Sequence, residues 1–194
     1  MPTVKWAPWS GRPGPMRRKL ASTVRPTGIE RRFSEDEIIV SKTDTKGVIT
    51  YANDVFLEIA GLTETQVIGA PHSIIRHPDM PRTVFKLLWD TIERGEEIFA
   101  YVLNMAVTGD HYWVFAHVTP TFDEAGTIVG YHSNRRVPDP RAIATIAPIY
   151  AKLKSIEDAA ADRSRGLADG VAAMLALLRD KGLSYDEFVF SLAR

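Results

Sequence analysis

The sequence predicts an α+β domain: a five-stranded antiparallel sheet with short helices on one face, followed by C-terminal helices. The prediction rests on the order of the elements, which is two strand-like runs, several short helix-like stretches and three further strand-like runs. Short turn motifs separate neighbouring strand-like runs, and strands joined by such turns pair in antiparallel fashion. Strands and helices that segregate along the chain in this way are typical of the α+β class.

The first two strands are predicted at 38–41 and 48–51, which are short runs rich in β-branched residues. The motif "TDTKG" between them predicts a hairpin turn. Asp44 can accept hydrogen bonds from its own following backbone, and Gly47 can take a positive φ without steric cost.

Two short helices are predicted next. Asn53 or Asp54 can cap a helix that ends at Gly61, since polar side chains favour helix starts and glycine favours helix ends. Thr63 and Gln66 then have the spacing of a capping box, which indicates a second helix start.

A longer helix is predicted from Pro81 to Arg94, ending at Gly95, because proline suits the first helical turn. Asp79 precedes it near the positive end of the helix dipole. Helical spacing of the large apolar residues predicts one buried face, formed by Phe85, Leu88, Trp89 and Ile92.

The last three strands are predicted at 98–107, 111–121 and 127–137, with "TGD" and "DEAG" as the turns between them. Side chains alternate between the two faces of a strand. Tyr112 is therefore expected on the interior face, whereas the alternate residues Trp113, Phe115 and His117 face outward and need a cover from the N-terminal segment, the C-terminal helices or a second subunit.

Three regions follow from composition and periodicity: a disordered basic tail at 1–32, the α+β domain at 33–138 and a helical extension at 139–194. The tail holds eight Lys or Arg and one acid, a net charge of +7 within a chain of net charge zero. We expect it to be a solvated tail, with no nucleic acid as partner. In the extension, Pro148 should kink the first helix, and Ser184 with Glu187 forms another capping box.

Several functional classes are disfavoured by what the chain lacks. It has no cysteine, which removes disulfides and thiolate chemistry. No apolar run approaches the ~18 residues that span a bilayer, and no secretory signal is visible, so we expect a cytoplasmic protein without a transmembrane segment. No nucleophile elbow, phosphate loop, paired-carboxylate motif or metal-ligand pattern is present, so we expect a non-enzymatic protein.

The motifs "GVITYANDVFLEIAGLTETQVIG" and "TGDHYWVFAHVTPTFDEAGTIVGY" resemble the opening and closing parts of PAS sensor domains. Within that family, "PHSIIRHPDMP", "LLWDTIERGE", "GDHYWV" and "GYHSNR" resemble the FAD-binding PAS domains of aerotaxis receptors. The resemblance implies a PAS fold and an FAD cofactor. It also implies cofactor-binding roles for Asn53, Arg76, His77, Asp79, Trp89, Asn104 and Tyr112.

The residue types fit that expectation. FAD combines a planar apolar ring with a dianionic pyrophosphate, so its site needs an apolar slot and cationic donors. Arg76 suits a phosphate, His77 can donate to a ligand oxygen, Asp79 can hold either one, and Trp89 can stack on a ring. Ile98 stands where the aerotaxis-receptor type has an aromatic residue, which weakens the argument for tight flavin binding.

The predicted function is a redox or oxygen sensor of signal transduction, aerotaxis-like or chemotaxis-like, that passes the state of its cofactor to a chemoreceptor or histidine kinase as a homodimer. Two alternatives stay open at this point. The domain can be a ligand-free dimerisation or adaptor module, or it can hold haem through one of its histidines.

Overall fold

The computed structural model of the protein describes residues 24–193. Five strands form one antiparallel sheet in the spatial order β2-β1-β5-β4-β3. They are β1 (Ile39–Thr43), β2 (Ile49–Ala52), β3 (Ile98–Met105), β4 (His111–Phe122) and β5 (Ile128–Arg136). The predicted fold class is confirmed, and β5 lies at the centre of the sheet because it pairs with both β1 and β4.

Between β2 and β3 the chain forms α1 (Asp54–Ala60), α2 (Glu64–Val67), a 3-10 turn (His72–Ile75) and α3 (Arg82–Glu93). The local signals act as expected. Asn53 caps α1 by accepting from the N–H of Phe56, and Thr63 forms the capping box of α2. Three further helices follow the sheet: α4 (Pro140–Ala159), α5 (Arg163–Lys181) and α6 (Tyr185–Ser191).

The interior face of the sheet packs against α1 and α3. Tyr112 and three of its same-face neighbours on β4, Val114, Ala116 and Val118, are buried, as the alternation predicts. The opposite face carries the outward aromatic residues, and the C-terminal helices cover it: Trp113 lies 6.0 Å from Tyr150 of α4, and Phe115 lies 6.1 Å from Phe190 of α6, between ring centroids. The sheet is therefore enclosed on both faces.

The helical extension also reaches the interior side. α4 continues through Pro148 as one helix, and its residue Glu157 contacts the first turn of α3. α5 packs closely against both α3 and α4 at two glycines, Gly166 and Gly170. The packing is close because neither glycine has a Cβ, which would overlap atoms of the neighbouring helices.

Residues 24–32, which the sequence predicts to be part of a disordered tail, lie beside the start of β4 in the structure. The N–H of His111 donates to the carbonyl of Ile29 at 2.9 Å, and the N–H of Arg31 donates to the carbonyl of His111 at 2.7 Å. The Arg31 side chain also donates to the carbonyl of Ile59. These bonds satisfy backbone groups of residues 24–32, and the composition of the segment does not predict them. The rest of the predicted tail, 1–23, lies outside the described residues.

Over residues 24–193, no helix combines the length and the apolar character that a membrane crossing needs.

Candidate ligand cavity

A cavity of about 280 Å³ lies between the interior face of the sheet and α3. Its volume is near the lower end of the ~300–1,000 Å³ range of small-molecule sites. Most of its surface is apolar and comes from α3 and from the inward-facing residues of β3 and β4. The apolar lining consists of Phe85, Leu88, Trp89, Ile92, Val102, Ala116 and Val118.

The polar lining of the cavity is rich in cations and, in the part of the chain that the structure describes, contains no carboxylate. It includes Ser41, Thr43, Lys46, His72, Ser73, Arg76, Asn104, Tyr131, Ser133 and Arg135. An apolar slot edged by donors and positive charge suits a planar ligand that carries acceptor oxygens or nitrogens.

Arg135 is the most deeply buried cation of the lining, with 3% of its surface exposed. Its Nη2 lies 2.7 Å from Ser41 Oγ and 2.6 Å from His72 Nε2, and its Nη1 has no partner within the described range 24–193. Burial lowers the pKa of Arg135 to about 10. A buried guanidinium without a carboxylate partner is costly, so the site favours a ligand that supplies acceptors.

His72 completes this cluster at the back of the cavity. Burial, and then the charges of Arg135 and Arg76, hold the pKa of His72 well below its usual value, so the ring is neutral. Because Arg135 can only donate, Nε2 of His72 accepts and the ring proton is on Nδ1.

Arg76 lies at the mouth of the cavity. Its guanidinium carbon is 3.5 Å from the centroid of the Phe85 ring, a cation–π contact. Its backbone pairs with Asn104 of β3, which joins the mouth to the sheet. Burial, together with the nearby charge of Arg163, lowers the pKa of Arg76 to about 10, and Glu157 acts in the opposite direction.

Four buried polar atoms of the lining residues have no hydrogen-bond partner among residues 24–193: Arg76 Nε, Asn104 Nδ2, Ser133 Oγ and Arg135 Nη1. Buried polar atoms in native proteins are nearly always satisfied, and an unsatisfied one costs ~1–3 kcal/mol. Four such atoms around one apolar slot are groups that a ligand with several polar edges can partner.

Trp89 closes one side of the cavity. Its ring makes an edge contact with Tyr131, with centroids 5.5 Å apart. The turn between β1 and β2 approaches it closely: a Cβ at Gly47 would lie 3.0 Å from two ring atoms of Trp89, and Gly47 has a φ of +76°. Only glycine fits both the turn and this contact.

The structure brings three of the seven predicted site residues, Arg76, Trp89 and Asn104, together in the cavity lining. The other four lie outside it. Asn53 is engaged with backbone groups, accepting from the N–H of Val40 and donating to the carbonyl of Ile38. Tyr112 is fully buried, its hydroxyl has no partner among the residues that the structure describes, and burial raises its pKa.

His77 and Asp79 lie on the loop before α3. His77 is 5% exposed, and its Nδ1 accepts from the N–H of Asp79 at 3.1 Å. Burial lowers the pKa of His77, Asp79 opposes that shift, and His111 adds to it. The Asp79 side chain is 74% exposed. This pair therefore shapes the loop that carries Arg76, and neither residue lines the cavity.

The innermost polar cluster, formed by Arg135, His72 and Ser41, is not among the site residues predicted from the sequence. One signal was available, since Ser133 and Arg135 alternate along β5 on the face that Tyr131 shares. A cation at an interior position of a central strand is unusual enough to indicate a binding role. Ser41 and His72 carry no comparable sequence signal.

Residues 49–135 match the PAS fold family. The chain is 39% identical to the aerotaxis receptor of Escherichia coli (strain K12) over 123 residues, which is 63% of this chain and 24% of the receptor. It is 26% identical to the bacterioopsin transcriptional activator of Halobacterium salinarum over 160 residues, 78% of this chain and 23% of the activator. The chain thus spans about a quarter of these two relatives.

Among solved structures, a light-oxygen-voltage domain studied with a flavin analogue superposes with a TM-score of 0.50 at 21% identity, covering 59% of this chain and 87% of that chain. This likeness supports the fold.

Proposed function

Residues 49–135 of this chain form a PAS domain, and on that premise we propose that the protein is a flavin-binding redox or oxygen sensor of signal transduction. The cofactor that we propose is FAD. The relative of 39% identity is an aerotaxis receptor, and the superposed light-oxygen-voltage structure was determined with a flavin analogue. Both agree with a flavin as the chemical class of the ligand.

The observation that carries the proposal is the set of four unpartnered polar atoms in an apolar slot without a carboxylate. An isoalloxazine ring has a flat apolar body, and its carbonyl oxygens and ring nitrogens lie along its edges. Such a ring gives the donors of Arg76, Asn104 and Arg135 acceptors while its body contacts the apolar lining. The residues present therefore fit a flavin.

In this proposal Trp89 contacts the ring, Asn104 and Arg135 bond to its polar edge, and Arg76 binds at the mouth. Asn53, His77, Asp79 and Tyr112 act through the shape of the site. Asn53 joins β1 to α1, His77 and Asp79 order the loop that follows Arg76, and Tyr112 fills space on the interior face of the sheet.

Reduction of a flavin changes which of its ring atoms donate and which accept hydrogen bonds. Asn104 and Arg135 would then bond to one form of the ligand more strongly than to the other, and only such a difference can shift a conformational equilibrium. Asn104 belongs to β3 and Arg135 to β5, so the shift reaches the sheet. The sheet's outer face contacts α4 and α6, which we propose as the output surface towards a cytoplasmic chemoreceptor or histidine kinase, with the chain as a homodimer.

The test is the absorption spectrum of the purified protein, with mass analysis of any released cofactor. We expect flavin bands and a stoichiometric yield of FAD. Arg135→Met and Asn104→Leu should reduce flavin retention, whereas Asp158→Asn should leave it unchanged, because the Asp158 side chain is exposed and lies outside the cavity lining. A protein that stays colourless after incubation with FAD, FMN and riboflavin contradicts the proposal.

The same spectrum distinguishes the two alternatives. Haem would give a Soret band, but His72 is the histidine that lines the cavity, and its Nε2 is occupied by Arg135 and Ser41. A ligand-free adaptor would dimerise cleanly and release no cofactor. In that case the four unpartnered polar atoms would have no ligand to satisfy them.

A further inference from the structure

A second pocket, of about 500 Å³, opens beside the cavity on the side of α3 that faces α5. It shares Arg76, Phe85 and Trp89 with the cavity, so the two spaces adjoin at the same side chains. Its other lining residues are Arg82 and Lys86 of α3 and Arg163, Ser164 and Leu167 of α5. We refer to this pocket as the vestibule.

The vestibule contains four cations, of which two are neutralised. Arg82 donates from Nε to the buried carboxylate of Glu157 at 3.0 Å, and Lys86 pairs with Asp90. Within residues 24–193, Arg76 and Arg163 form no ion pair with a carboxylate. The Asp162 carboxylate, next to Arg163, accepts from the N–H of Arg165 as the cap of α5.

Arg76 and Arg163 therefore add uncompensated positive charge to one space. Burial is the first cause that lowers the pKa of Arg76, the charge of Arg163 adds to it, and Glu157 acts in the opposite direction. Two like charges that approach each other are destabilising unless an anion lies between them. Guanidinium groups are suited to phosphate, which they can bind through paired N–H donors.

We propose that the vestibule binds the phosphate groups of the nucleotide ligand whose ring occupies the cavity, and that Arg163 of the C-terminal extension is one of its ligand-binding residues. This inference rests on the proposed flavin function and extends it to a residue outside the PAS domain. It assigns α5 a place in the ligand site, so that phosphate binding connects the cavity directly to the C-terminal helices.

A ligand that lacks phosphate should then depend on the cavity alone. We expect the apo protein to bind FAD and FMN more tightly than riboflavin, and the difference to shrink as salt screens the exposed Arg163. Arg163→Gln should weaken FAD binding by about tenfold, the effect of losing one charge-assisted contact worth ~1.4 kcal/mol. Riboflavin binding should change less than about twofold.

Two variants serve as controls in flavin-fluorescence titrations. Arg163→Lys keeps the charge and should retain most of the FAD affinity. Arg165→Gln removes an equally exposed arginine that pairs with Asp169 and lies outside both pockets, and it should leave all three affinities unchanged. The carbonyl of Arg163, which accepts from Arg82, is present in every variant, so α5 keeps its contact with α3.

Calorimetry with inorganic pyrophosphate separates this inference from the proposed function. Binding of pyrophosphate to the wild type that Arg163→Gln abolishes, in a protein that binds no flavin, would preserve the anion site and overturn the flavin proposal. Flavin binding in which Arg163→Gln leaves FAD affinity unchanged, or weakens riboflavin equally, would overturn the vestibule assignment alone.

Discussion

The carboxylate of Glu157, on α4, accepts hydrogen bonds from the backbone N–H of Thr83 at 2.7 Å and from the Thr83 hydroxyl at 2.8 Å. It also accepts from the backbone N–H of Arg82 at 3.0 Å. Pro81, the residue before α3, supplies no side-chain cap. The free N–H groups at the start of α3 are therefore satisfied by a residue 74 positions away in sequence, and the C-terminal extension is joined to the helix that lines the cavity.

Glu157→Gln should lower the free energy of unfolding by about 2 kcal/mol, because it removes a charge that is hydrogen-bonded to the helix start and paired with Arg82. Urea unfolding at neutral pH measures the change. Asp158→Asn, at the adjacent exposed ion pair with Lys154, is the control and should change stability by less than ~0.5 kcal/mol. Equal effects of the two substitutions would show that Glu157 is not a structural connection.

Gly170→Ala should destabilise the protein although alanine is the better helix former by ~1 kcal/mol. A Cβ at this position would lie 2.3 Å from Thr83 Oγ1 and 3.1 Å from Glu157 Cγ. We expect α5 to move away from α3, with a loss of about 1–3 kcal/mol on thermal or urea unfolding. Ala168→Gly, at an exposed position of the same helix, measures the helix propensity alone. A stabilised Gly170→Ala variant would contradict the close packing.

Stability should fall as the pH drops below about 6.5, partly through His72. Its pKa in the folded protein lies well below the unfolded value, so the unfolded chain binds the proton first and protonation favours unfolding. The contribution is complete above the unfolded pKa and is lost as the pH falls towards the folded pKa, with a slope of at most ~1.4 kcal/mol per pH unit. His77, whose pKa is also lowered, acts with the same sign.

Urea unfolding of the wild type and His72→Gln at pH values of about 7.5 and 5.5 isolates the His72 share. The variant should show the smaller loss of stability at the lower pH. Identical pH slopes for the two proteins would mean that His72 is not buried next to Arg135 in the folded protein.

Arg135→Met should leave the stability of the ligand-free protein unchanged or raise it, because it replaces a buried, uncompensated cation by an apolar side chain. Ser41 and His72 lie 3.1 Å apart and retain each other as partners. The same variant should lose flavin affinity, so that stability and binding change in opposite directions, as expected for a site that sacrifices stability for function. A loss of more than ~3 kcal/mol in the ligand-free protein would instead identify Arg135 as a structural residue.

Much of the fold follows from local sequence. Asn53 and Thr63 cap the helices they precede, and the turns at Gly47, Gly109 and Gly126 have positive φ values. These features act over three or four residues, which is the range of a capping bond or a tight turn, so one stretch of chain contains all that they need. The alternation along β4 likewise predicts that Tyr112 faces inward, because successive side chains of a strand point to opposite faces of the sheet.

Only the tertiary structure decided how the site is completed. The pairing of β1 with β5 brings Arg135 to Ser41, the turn after α2 adds His72, and the return of α4 and α5 brings Glu157 and Arg163 to α3. Each of these contacts joins residues more than 60 positions apart. Strand order and helix packing determine these long-range partners. A local pattern of residues does not predict which distant side chain a given residue will contact.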